Sequence, residues 1–119
     1  MRIGVIGSRK FKNLTSVQEF IKSLSHDSII VSGGCSGPDT WAIEEASLIG
    51  LETLVFLPEK VLKGSPRYKF TESFYARNRL IVENSDIIHA FVSENRKGGT
   101  EYTIKYATKK GIPVIIHYP

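Results

Sequence analysis

Two kinds of segment alternate along the chain. Residues 3–6, 28–31, 51–57, 86–92 and 113–117 are short apolar runs rich in Ile, Val and Leu. They are nearly continuous rather than alternating, as in strands buried on both faces of a parallel sheet. Amphipathic stretches lie between them. The first is expected to start at Thr15, where Thr15 and Gln18 make a capping-box pattern, with Val17, Phe20, Ile21 and Leu24 at helical spacing. The second opens on Pro38, a favoured first helical residue, carries Trp41, Ala42, Ala46 and Ile49, and stops at Gly50. A third is expected over residues 71–84. A fourth begins after Gly99 and ends at Gly111, with Pro113 beyond it as a stop.

The order βαβαβαβαβ predicts a single α/β, Rossmann-like domain over residues 1–119. Right-handed crossovers place helices on both faces of a doubly wound five-stranded parallel sheet, expected in the order 3-2-1-4-5. The long irregular stretch 58–70, "PEKVLKGSPRYKF", is expected to be a lid or binding loop.

Such a sheet delivers every strand-to-helix loop to its C-terminal edge, where ligands bind near the switch in strand order. Besides the long stretch, the loops at that edge read "GSRKFKN", "SGGCSGPD" and "SENRKGG". Two are glycine-rich and lead straight into helices, whose first N–H groups and partial positive charge favour anions. A phosphate-binding loop is therefore expected, with Gly7, Gly33, Gly34, Gly37, Gly98 and Gly99 on one edge. It is neither common phosphate motif. Gly37 is followed by Pro38 where a Walker A loop needs lysine, and the first turn is not G-x-G-x-x-G. An ordinary NAD enzyme is disfavoured, because no acid ends the second strand to hold a ribose.

Composition narrows the classes further. Hydrophobic content of 41% and charged content of 24% are those of a globular domain, and no apolar run is long enough to span a membrane. A lone cysteine, Cys35, leaves neither disulfide nor metal-ligand pattern, so no metal and no cofactor are expected. The N-terminal segment reads as a strand rather than a signal peptide, which with the single cysteine points to the cytoplasm. A net charge of +4 permits an anionic partner without demanding nucleic acid.

"IGSR" after the first strand, "SGGCSGPDTWA" after the second, "ARNRLIVENSD" before the fourth and "KGGTEYTIKYATKKGIPV" at the end resemble the SLOG superfamily over nearly the whole chain. That group includes the DNA-processing protein DprA, the LOG phosphoribohydrolases and small YspA/YpsA-like proteins, and the resemblance is closest to the small branch. It implies a Rossmann-like fold that binds nucleotides or nucleotide-derived molecules at this edge, as a sensor or sequestering protein. One alternative is a LOG-like N-glycosidase acting on nucleoside 5'-monophosphates. A second, less favoured, is single-stranded nucleic-acid binding of the DprA type. LOG enzymes use an arginine and a glutamate. Arg77 matches the arginine, with Asp86 at the family's spacing, and Glu101 is the candidate glutamate. The loop here lacks the family's preceding proline, and Glu101 follows Thr100 directly. Asp39 resembles the aspartate of DprA's glycine-rich motif.

The ligand-binding candidates are the glycines above with Ser8, Arg9, Ser32, Ser36, Asp39, Arg77, Asn78 and Thr100; the catalytic ones are Glu101 and Arg77. Each has a plainer reading: an ion pair for Arg77, and dipole stabilisation in a first helical turn for Glu101 and Asp39. Cys35 is assigned no chemistry, and His89 is read as a core histidine. Trp41, Phe74, Tyr75, Tyr102 and Tyr106 exceed what a small core needs, so a homodimer is expected.

Overall fold

In the computed structural model, which describes residues 1–119, strands β1 (Arg2–Gly7), β2 (Ile29–Ser32), β3 (Glu52–Val55), β4 (Ile87–Phe91) and β5 (Val114–His117) alternate with helices α1 (Leu14–Lys22), α2 (Pro38–Leu48), α3 (Arg67–Glu83) and α4 (Gly99–Lys109). The five strands form one sheet in the order β3-β2-β1-β4-β5, as expected, and all pairings are parallel. The order reverses between β1 and β4, which pair from Ile3↔Ile87 to Gly7↔Phe91.

Two apolar clusters cover the two faces. One joins Val5, Ile30 and Phe91 to Val17 and Ile21 of α1 and to Ala42 and Ala46 of α2. The other joins Ile6, Val31, Ile88 and Ala90 to Ile81 and Val82 of α3 and to Ile104 and Ala107 of α4. The inner strands are buried on both sides, which is why their runs are continuously apolar. The outer strands depart from that expectation. β3 shows only Leu54 half-buried, with Glu52, Thr53 and Val55 exposed, because an edge strand has a neighbour on one side alone.

Two helix starts differ from the sequence reading. α1 begins at Leu14 with Asn13 as its cap, whose side chain accepts from the Ser16 N–H at 3.1 Å. Asparagine caps as well as threonine, and the Thr15–Gln18 pattern lies inside the helix. α3 begins at Arg67 after Pro66, a full turn before Thr71. Proline is the usual residue just before or at a helix start, and it shortens the irregular stretch to 56–66.

Candidate functional site at the sheet's switch point

At the point where strand order reverses, a crevice of about 70 Å³ is lined by Ile6, Gly7, Cys35, Asp39, Arg77, Asn78, Gly99, Thr100 and Thr103. The residues come from β1, the loop after β2, α2, α3 and α4. Gly7 lets them meet: a Cβ there would stand 2.5 Å from the Pro38 ring, so only glycine allows α2 to close on the end of β1.

Two helices open onto this crevice in the same way. Gly37 caps α2 at φ 93°, ψ −138°, and Gly98 caps α4 at φ 85°, ψ −149°, neither with a side-chain capping bond. That backbone region is open to glycine almost alone. A serine or aspartate cap would occupy the first N–H groups, whereas glycine leaves them free. The N–H groups of Asp39, Gly99, Thr100 and Glu101 find no acceptor within the chain.

Arg77 is the best-satisfied side chain in the site. It is 3% exposed. Its Nη1 donates to the Gly33 carbonyl at 2.6 Å and, more weakly, to the Phe56 carbonyl at 3.3 Å. Its Nη2 donates to Cys35 Sγ at 2.9 Å and its Nε to Asn78 Oδ1 at 2.8 Å. A guanidinium has five N–H donors, so four are used by protein and one remains. The bond from Nε fixes the Asn78 amide with its oxygen toward Arg77, leaving its NH₂ group to face Gly99 across the crevice, where a Cβ on that glycine would be 3.6 Å away.

Asp39 is the acid of the crevice. It is 5% exposed, and its pKa is pushed up to about 6, chiefly by burial. The charge of Arg77 and the N–H groups of Cys35 and Gly33 pull the other way. None of these donors makes a well-formed hydrogen bond to the carboxylate. The nearby Ser32 hydroxyl gives its one proton to the Val5 carbonyl at 2.6 Å. Every side-chain polar atom that is wholly buried has a partner, so the unbonded lone pairs of Asp39 open toward the crevice.

Other candidates lie elsewhere. Ser32 is fully buried and ties β2 to β1, so it cannot face a ligand. Glu101 is outside the crevice lining, paired with Arg96 at 3.0 Å. Gly34, Ser36 and Gly98 are exposed on the rim and Gly37 is half-exposed; Gly33 is buried against Arg77. Ser8 accepts from the Lys10 N–H at 3.1 Å, and Arg9 is exposed beside it. Thr103, which donates to the Gly99 carbonyl at 2.8 Å, and Cys35 line the crevice although neither was singled out for the site. Only the helical spacing of Thr103 from Gly99 could have signalled it.

A larger cavity, about 760 Å³, lies next door between the loop after β3 and α3, with Leu57, Val61, Tyr68, Tyr75 and Leu80 among its lining residues. Arg77 lines both spaces. The loop is pinned to α3 by the Ser73 hydroxyl, which donates to the Glu59 carbonyl at 2.6 Å. Of the aromatics counted toward a dimer, Trp41 and Tyr106 pack on the core and Tyr75 stacks on Tyr102 at 3.9 Å. Phe74 stays partly outside, 38% exposed beneath the Arg77 guanidinium.

No protein-family profile matches the sequence, and no curated protein does. Solved structures do. DNA processing protein A (DprA) from Streptococcus pneumoniae aligns with a TM-score of 0.77 and 23% identity, over 97% of this chain and 49% of that one. The chain thus spans about half the length of the DprA structure. The C-terminal domain of the PF1911 hydrogenase from Pyrococcus furiosus aligns at TM-score 0.51 and 14% identity, covering 97% of this chain and 89% of that one. A predicted subunit of tRNA methyltransferase from Methanocaldococcus jannaschii aligns at TM-score 0.50 and 13% identity, covering 99% and 67%. At these identities the likeness is one of fold, and the fold is DprA-like.

Proposed function

We propose that the chain binds a nucleotide or nucleotide-derived ligand at the switch-point crevice, as a sensor or sequestering protein of the small YspA/YpsA-like SLOG branch. The observation that carries this reading is the pair of glycine-capped helices, α2 and α4, whose free N–H groups open onto one crevice beside a buried acid. At about 70 Å³ the crevice is too small for a whole nucleotide and takes its phosphate and the hydroxyl edge of its sugar. The remainder of the ligand extends past Arg77 into the 760 Å³ groove, which is of ordinary ligand-pocket size. A homodimer belongs to the same reading.

Calorimetric titration with nucleoside mono- and diphosphates, beside native mass spectrometry of the freshly purified protein, tests the reading. Saturable binding, or a co-purified nucleotide, supports it; the absence of both overturns it.

A second reading, nucleic-acid binding, is favoured by one feature. Lys10 and Lys12 line a separate cavity of about 440 Å³ with Ser93 and Asn95, and Arg9, Arg96 and Lys97 are exposed on the neighbouring loops. The DprA likeness adds to it. Affinity for single strands that falls steeply with salt would favour this reading.

A further inference from the structure

The two glycine-capped helices are not equivalent, and the difference assigns parts of the ligand to them. Asp39 sits in the first turn of α2, where its carboxylate offsets the positive end of that helix. A phosphate placed there would meet a like charge. α4 also carries an acid in its first turn, Glu101, but that carboxylate is held by Arg96 at 3.0 Å and lies outside the crevice. Within the crevice, α4 therefore offers the free N–H groups of Gly99 and Thr100 and the Thr100 side chain, with the Asn78 NH₂ group opposite. This side has donors and no unpaired acid.

Asp39 has the opposite chemistry. Ionised, it is an acceptor only, 5% exposed, and it lines the crevice with the N–H groups of Gly33 and Cys35 near it but no well-formed hydrogen bond. A group in the crevice that brings donors finds an acceptor there. In a nucleotide the group next to the 5'-phosphate is the sugar, and a vicinal hydroxyl pair presents two donors to one carboxylate. Acid-to-ribose contacts of this kind are a general device of nucleotide-binding α/β folds, usually from an acid at the end of a strand. Here the acid stands in a helix's first turn instead.

We propose that Asp39 is the specificity-determining residue of the site, accepting the 2'- and 3'-hydroxyls of a ribose whose phosphate rests on the α4 end at Gly99 and Thr100. The inference rests on the nucleotide-binding reading and deepens it: the ligand class becomes ribonucleotides, discriminated from 2'-deoxyribonucleotides.

The experiment is calorimetric titration of the whole chain, parent and Asp39→Asn, with the four ribonucleoside 5'-diphosphates, their 2'-deoxy counterparts and inorganic pyrophosphate. The parent is expected to prefer the ribose form by about tenfold or more, the worth of one hydrogen bond to a charged acceptor. Asp39→Asn is expected to reduce that preference to about threefold or less, the loss falling on the ribose form, with pyrophosphate bound as by the parent. Asp39→Ser serves as a second variant, and thermal melts of both establish that they fold. Equal binding of the two sugars by the parent overturns the assignment of Asp39 and leaves the nucleotide reading standing. So does a loss in the variants that is the same for ribose, deoxyribose and pyrophosphate. Failure of the parent to bind any nucleotide overturns both.

Discussion

Arg77 Nη1 donates to the carbonyl of Gly33 at 2.6 Å, and the guanidinium occupies the space a side chain on Gly33 would need. A Cβ at Gly33 would stand 2.5 Å from Nη1 and 2.7 Å from Cζ. Arginine and glycine thus form one unit. The helix reaches across to the loop after β2 and holds its backbone in place, with the Cys35 thiol and the Phe56 carbonyl as further anchors. In this arrangement Arg77 positions the loop and keeps one N–H unbonded.

Arg77→Ala is therefore expected to unfold more easily, not merely to bind less well. It leaves the Gly33 carbonyl without its buried partner and opens a hole beneath the loop. A loss of about 2–4 kcal/mol in urea denaturation is expected. Arg77→Lys should recover little of it, because a point charge cannot serve four acceptors in a plane. Parent-like stability in Arg77→Ala, with binding alone lost, would make the arginine a ligand contact instead.

Gly33→Ala tests the same unit from the other side. The added methyl must displace a guanidinium that is bonded in place, an overpacking cost of about 1–3 kcal/mol. Combined with Arg77→Ala the cost should nearly vanish, since the obstructing group is gone. A double-mutant cycle by urea denaturation measures that coupling, and strict additivity would contradict it.

Much of this was legible in the sequence, and the reasons are particular. Ile30, Val31, Ile88 and Ala90 are apolar in succession because both sheet faces are covered, so the parallel sheet and its order follow from pattern and handedness. Gly37 and Gly98 stand where helices begin, so the edge on which the loops gather was readable too. Which side chains turn into the crevice was not. Asp39 and Glu101 both stand in the first turn of a helix after a glycine cap, Asp39 two residues past its glycine and Glu101 three. Which of them turns inward depends on how α2 and α4 pack, and Arg96, five residues from Glu101, pairs with one acid and leaves the other free. Nor does spacing reveal that Arg77 serves the protein's own carbonyls, since Gly33 is 44 residues away.

Glu101→Gln is accordingly expected to be quiet. Its ion pair with Arg96 is partly solvent-exposed, and such pairs contribute about 1 kcal/mol or less. Nucleotide affinity should stay within about twofold of the parent, because the carboxylate does not line the crevice. If a nucleoside monophosphate were hydrolysed by the parent and Glu101→Gln abolished the turnover, the glycosidase reading would replace the binding one.

Asp39 and a histidine pair on the sheet face that α1 covers titrate in opposite senses. His89 Nδ1 and His117 Nε2 lie 2.9 Å apart among Phe20 and Phe91. Burial and the neighbouring ring push His89 down to about 4, and burial lowers His117 as well. Between pH 6.5 and about 4 the unfolded chain takes up protons on these rings that the folded chain refuses, so acidification through that window costs stability. Asp39 works in the opposite sense. Its folded pKa is about 6 against 3.8 unfolded, so between those values the folded chain holds the extra proton. That contribution is fully present below pH 3.8 and is lost as pH rises through about 6. The two slopes oppose each other between about pH 4 and 6, and the parent's stability should be comparatively flat there. Asp39→Asn should be more stable than the parent at pH 7.5, by at most about 3 kcal/mol, with the gain gone by pH 4, so that its stability climbs steeply with pH. A double variant, His89→Leu with His117→Leu, should show the reverse slope, carried by Asp39 alone. Urea denaturation of the three proteins from pH 4 to 8 decides it. An Asp39→Asn protein less stable than the parent at pH 7.5 would mean the carboxylate is a structural partner rather than a desolvated group held for a ligand.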